Sequence, residues 1–179
     1  GLGDVYKRQA MRKDDKAGLV TFNEYFDTFV PASKQVGQMQ TLLENLYKQE
    51  TTFGETDFSA LCGHLGKHVN KRSFLVLYTN FSNMTSLNRQ LVYLQQLARQ
   101  HRVLVVFFED ADLKEYIAGK SVTTEEYYRH VIAEKFAFEK RLIVSTLKQH
   151  GIYSLLTTPD KLSIDVINKY LEMKSRQLL

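Results

Sequence analysis

Glu109, Asp110 and Asp112 are the most enzyme-like cluster in the chain. Neighbouring carboxylates can divide acid and base roles in a proton transfer. No histidine, serine elbow or second acid at diagnostic spacing accompanies them, so a solvated loop opening a short helix at Leu113 is the simpler reading. His64 and His68 stand four apart, a spacing that lets two imidazoles on one helix share a metal ion. The segment reads His64-Leu65-Gly66-Lys67-His68 and lacks the glutamate of a metalloprotease motif, which favours two surface histidines. Tyr127, Tyr128, Phe136 and Phe138 lie among Arg129, Lys135, Lys140 and Arg141. Aromatic and basic groups together can stack single-stranded nucleic acid. Here Tyr128, Ile132 and Phe136 fall at helical spacing and read as core, and Glu134 and Glu139 dilute the charge. If these aromatics are instead exposed, they suit a protein partner.

These residues must be positioned by an alternation of short apolar runs and helical runs. Ala17 to Phe22 reads as a strand, and Phe26 to Val30 alternates like a half-exposed one, so the two form a hairpin around Asn23-Glu24. Pro31 is expected to end it, because proline cannot donate to a ladder. Val36, Met39, Leu42, Leu43 and Leu46 recur at helical spacing. A second helix is expected from about Asp57 to Val69, with Phe58, Leu61, Cys62 and Leu65 on one stripe. Thr56 is placed to cap it, and Asp57 adds favourable charge at its positive end.

Ser73 to Tyr78 and Val103 to Phe108 are nearly all apolar, as strands buried on both faces should be. Leu87, Leu91, Leu94 and Leu97 mark a helix between them. A long helix is expected over Thr124 to His150, capped by Thr123 or Thr124, begun by Glu125-Glu126 and ended by Gly151. Ile152 to Leu156 is the last strand, and a final helix runs from Ser163, its expected cap, to about Arg176. Strands separated by long helices imply parallel crossovers in one doubly wound sheet, with the hairpin adding an antiparallel edge strand. Ligands of such sheets bind at the carboxyl ends of the strands. There the sequence offers Asn23-Glu24, Thr79-Asn80, Glu109-Asp110-Asp112 and Thr157-Thr158.

The bulk properties are those of one ordinary globular domain. The chain has 179 residues, 44% of them hydrophobic and 25% charged, with a net charge of +4. The basic residues are interspersed with acidic ones rather than clustered, which argues against a dedicated nucleic-acid binder. One cysteine, Cys62, excludes an internal disulfide and reads as a buried small hydrophobe. No run approaches the ~20 apolar residues needed to span a bilayer. Gly1 to Gln9 (GLGDVYKRQ) resembles a translated sequencing-adapter remnant, so residues 1–9 are set apart from the domain expected over residues 10–179. Its glycines have no preceding strand and no lysine at phosphate-loop spacing.

The hairpin AGLVTFNEYFDTFVPAS, then GETDFSAL, then RSFLVLYTNF, with FAFEKR and the closing YSLLTTPDKLSIDVINKYLEMKSR, resembles the domain-of-unknown-function family 58, of a type found in Bacteroidetes. The resemblance covers nearly everything after Arg12 and implies a von Willebrand A-like, Rossmann-like α/β fold with strand order 3-2-1-4-5-6. It also implies that the first, central strand lies upstream of this chain. A fragment without that strand is expected to be unstable or to aggregate. Von Willebrand A domains hold a divalent ion at an adhesion site, and the ion takes an acidic residue of the partner as its last ligand. Thr56 matches the second-loop threonine of that site, and Asn80 stands where the aspartate is expected, so the implied site is degenerate. Thr56, Asp57, Thr79 and Asn80 are then the implied partner-binding residues. No cofactor is expected in this chain, while Mg²⁺, which prefers hard oxygen ligands, suits a complete parent domain. The resemblance further implies a non-catalytic protein-interaction module working with a MoxR-type AAA+ ATPase in protein assembly or maturation. It would act in the cytoplasm at the inner membrane face. An enzyme using the Glu109–Asp112 loop and a structural domain of an envelope complex are the alternatives.

Overall fold

The computed structural model describes residues 15–22, 26–49, 56–81, 83–108 and 124–179. Among the described residues the strands are β1 (Ala17–Phe22), β2 (Phe26–Ser33), β3 (Phe74–Tyr78), β4 (Arg102–Phe108) and β5 (Tyr153–Thr157). The helices are α1 (Gln38–Tyr47), α2 (Phe58–His68), α3 (Met84–Gln100), α4 (Thr124–Gln149) and α5 (Leu162–Ser175). The expected α/β alternation is present. The strands, however, form two sheets, an antiparallel β1-β2 pair and a parallel triple ordered β3-β4-β5, rather than one. The chain divides into two compact units, one holding β1, β2, α1, α2 and nearly all of α5, the other β3, α3, β4, α4 and β5.

In the first unit the hairpin is pinned by a close backbone approach. The register shifts between Ala17 and Leu19, so Gly18 faces an irregular stretch of β2. A Cβ on Gly18 would lie 2.7 Å from the Val30 carbonyl oxygen and 2.9 Å from the Ala32 nitrogen. Only glycine fits there. Pro31 does not end β2, contrary to the sequence expectation, because it lies in this irregular stretch, where its missing N–H breaks no regular ladder. The Gln38 side chain, nearly fully buried, then ties α1 to the hairpin: its Nε2 donates to the Ala17 and Pro31 carbonyls, both at 2.9 Å. Ala17, Val30 and Leu42 form the small core beneath. Val36, expected on the helix stripe, lies in the preceding turn and is fully exposed.

α5 is fixed to the segment before β1 by an ionic cluster. The Asp15 carboxylate accepts from the Tyr170 hydroxyl and, at 2.5 Å, from the Lys174 ammonium. Lys174 also donates to the Tyr170 oxygen at 3.2 Å and lies over its ring. These bonds hold the Asp15 carboxyl below its usual range against the opposing effect of burial. Ser163 is inside α5 rather than capping it, since the helix already begins at Leu162.

In the second unit β4 is central. Val103 to Phe107 are all buried, as a parallel strand covered on both faces requires. α3 packs on β4 and α4 on β5, and the two helices touch. The Asn83 side chain caps α3 by accepting from the Ser86 N–H at 2.8 Å. Gly151, at φ 71°, ends α4 as the sequence predicted.

Two glycines make opposite predictions. Gly18→Ala should cost about 1–3 kcal/mol, since backbone must move to admit the methyl group. Gly63→Ala, in the interior of α2 with open space around it, should stabilise by about 0.5–1 kcal/mol through helix propensity. Urea unfolding of both variants checks the contrast, and equal effects at the two positions would refute the close approach.

Candidate functional site

The four residues expected to bind a partner fall into two pairs. Thr56 and Asp57 begin α2, in the first unit. Asp57, not Thr56, is the N-cap: its carboxylate accepts from the Ser59 N–H at 2.8 Å and the Ala60 N–H at 3.2 Å. Its side chain reaches two orphan amide donors that the preceding threonine does not. Thr79 and Asn80 follow β3, in the second unit. The Thr79 N–H donates to the Val106 carbonyl at 3.1 Å, which extends the parallel ladder past the end of β3 and fixes where Asn80 emerges.

Asn80 is met by a cation from within the chain. The Lys140 ammonium donates to Asn80 Oδ1 at 2.5 Å and to the Phe81 carbonyl at 3.0 Å, and sits 5.6 Å from the centroid of the buried Phe107 ring. Burial lowers the Lys140 pKa from its usual value. Lys140 is half-buried on the packed side of α4, where Ala133, Ala137, Lys140, Val144 and Leu147 recur at three- and four-residue intervals. The sequence reading grouped Lys140 with the surface basic residues and missed this. The signal was the apolar periodicity on both sides of it.

A divalent ion does not fit this arrangement. Its Asn80 ligand oxygen is already bound to an ammonium, and a 2+ charge about 4 Å from that ammonium would be repelled by about 2–8 kcal/mol, depending on screening. Among the described residues no group of three His, Cys, Asp or Glu side chains is placed to hold a metal ion.

Glu109, Asp110 and Asp112 lie outside the described residues, as do Asn23-Glu24. His64 and His68 stack with ring centroids 4.0 Å apart, and the Phe29 ring meets both, at 4.8 and 5.6 Å. His68 Nδ1 is 3.0 Å from the His64 carbonyl. Burial, then the neighbouring His68 and Lys67, lower the His64 pKa, so the pair reads as an aromatic cluster against β2. Cys62 is buried as expected, and burial with the Asp57 charge pushes its thiol up to about 11, which makes it a poor nucleophile.

The outer face of α4 departs furthest from the sequence reading. Tyr128, Ile132 and Phe136, expected in the core, are exposed by 50–68%. Tyr127, Val131, Phe138 and Leu142 are exposed as well, by 40–60%, and lie on one stripe at i, i+4, i+11 and i+15. α4 is apolar around more than half its circumference. Periodicity alone therefore did not say which side faces inward. Ala133, Ile143 and Leu147 are the residues that pack inside.

A family model described as "Protein of unknown function DUF58" matches residues 6–120, more than half of the chain. The chain belongs to that family. No curated protein and no solved structure matches it. No described helix is long and apolar enough to cross a membrane.

His101 yields a pH prediction. It is 2% exposed, its Nδ1 accepts from the Ser73 N–H at 3.3 Å, and burial followed by the Arg72 charge lowers its pKa from 6.5. Its folded pKa thus lies below its unfolded one, so the unfolded state binds more protons below about pH 6.5. The neutral ring's contribution is complete above that pH and is lost as pH falls through it. Urea midpoints of the native chain should fall between pH 7 and 5 more steeply than those of His101→Gln. Parallel slopes would remove His101 from the acid response.

Proposed function

We propose that this chain is a non-catalytic protein-interaction module that docks a partner on the outer face of α4. The observation carrying this reading is the exposure of seven large apolar side chains on one helix: Tyr127, Tyr128, Val131, Ile132, Phe136, Phe138 and Leu142. Single exposed hydrophobics need no explanation, but a contiguous patch of this kind marks an interaction surface. Tyrosines and phenylalanines supply large contact area at low entropic cost, as residues at interface centres do. The flanking Glu134, Lys135, Glu139 and Arg141 provide a charged rim.

The partner proposed from the family resemblance is a MoxR-type AAA+ ATPase, met at the cytoplasmic face of the inner membrane during assembly or maturation of other proteins. The finer fold reading, a von Willebrand A-like domain, is supported by the parallel β3-β4-β5 order with helical crossovers. Because Lys140 stands against Asn80, the interaction is proposed to need no Mg²⁺.

The test is binding of the chain to a nucleotide-loaded MoxR-type ATPase, followed by interferometry. Val131→Glu with Phe138→Glu should weaken binding by at least about tenfold, as loss of two interface anchors does. The melting temperature should hold, since both side chains are already exposed. Chelator should leave binding unchanged. No binding by the native chain would remove the ATPase as partner; full binding by the double variant would move the interface off α4.

A further inference from the structure

We propose that Lys140 anchors an oxyanion-binding site at the carboxyl edge of the β3-β4-β5 sheet, taking a carboxylate or a phosphate group. The inference uses none of the exposed aromatics of α4, resting instead on the bonds of Lys140 to Asn80 and Phe81 at the sheet edge. Three observations support it. First, Lys140 takes the place of an apolar residue in the series Ala133, Ala137, Val144 and Leu147, and its half-buried side chain brings the ammonium to the sheet edge. Partial desolvation of an ion is unfavourable unless something compensates it. Second, the compensation among the described residues is incomplete. The two hydrogen-bond acceptors, Asn80 Oδ1 and the Phe81 carbonyl, are neutral, and among the described residues no carboxylate pairs with the ammonium. An ammonium carries three protons, so one donor and the whole net charge remain. Third, the group emerges beside Thr79 and Asn80 at the carboxyl end of β3, the edge at which open parallel sheets bind their ligands.

The chemistry follows from those donors. An anionic oxygen would accept the third Lys140 proton, and the Asn80 amide NH₂ and the half-exposed Thr79 hydroxyl are donors within the same short segment. The Asn80 oxygen holds the ammonium while its nitrogen stays available. An aspartate at position 80 would instead neutralise Lys140 internally and repel the anion. The lysine thus does for an acidic group what a bound cation would do, without a metal.

The experiment is an amide NMR titration of the full chain at constant ionic strength and neutral pH. One arm uses inorganic phosphate and the other a tetraglutamate peptide. Saturable shifts of the Thr79, Asn80 and Phe81 amides are expected in at least one arm. Response to phosphate alone identifies a free small anion as the ligand, and response to the peptide identifies an acidic side chain of a protein. Lys140→Met should weaken binding by roughly tenfold or more, the loss of one charge-assisted hydrogen bond, while Lys140→Arg retains it. Asn80→Asp, nearly isosteric and therefore fold-preserving, should also weaken it and keeps the proposal testable if Lys140→Met does not fold. No saturable shift in either arm, or unchanged affinity in Asn80→Asp, overturns the site.

Discussion

Burial of the centre of β4 is the constraint on which the second unit depends. Five consecutive residues, Val103 to Phe107, are excluded from water, so both faces of the strand must be covered and both edges paired. β3 and β5 satisfy the edges in parallel register. Parallel pairing cannot be closed by a tight turn and demands long crossovers. α3 and α4 meet that demand, and packing on the sheet follows from their apolar stripes. The places where the chain leaves the sheet are thereby fixed. Asn80 emerges where it does because Thr79 still bonds to Val106.

The same constraint gives Lys140 its meaning. A helix packed on a buried sheet has few inward positions, and each should be apolar. Lys140 breaks that rule and is held by Asn80 and Phe81 at the sheet edge, with its ammonium over the Phe107 ring. Long lysine stems can cover apolar surface while the head reaches polar atoms. A local rule broken without a compensating ion pair among the described residues is where function is expected to lie. By contrast, the Asp15-Tyr170-Lys174 cluster is balanced internally and reads as a fastening for α5.

Much of this architecture was legible in the sequence. The continuous apolar run at Val103–Phe108 is a strand covered on both faces over Val103–Phe107, whereas the run at Ser73–Tyr78 is a strand with only Leu77 buried and Tyr78 exposed, because β3 lies at the edge of its sheet. Gly151 could end α4 because glycine adopts positive φ without cost. Local chemistry with more than one solution was not legible. Thr56 and Asp57 are both good capping residues, and only backbone geometry selects Asp57. Pro31 continues β2 because the irregular stretch opposite Gly18 removes the need for its N–H, a pairing between residues far apart in sequence. The division into two sheets was hidden for the same reason, since local patterns specify strands but not which strands join.

α4 carries the most consequential ambiguity. Its inward side uses small and aliphatic residues, Ala133, Ile143 and Leu147, while its aromatics lie outside. Side-chain size therefore pointed the sequence reading the wrong way: the bulkiest residues looked like core. Physically the arrangement is coherent. Small residues let a helix approach its neighbours closely, and large exposed aromatics gain stabilisation only when something covers them. Leaving so much apolar surface in water is unfavourable for an isolated chain and becomes favourable on association. The helix thus presents two unlike faces, a charged group drawn inward to the sheet edge and an apolar stripe turned outward. Each departs from the ordinary rule of apolar inside and charged outside, and each leaves unsatisfied a group that a bound ligand would satisfy.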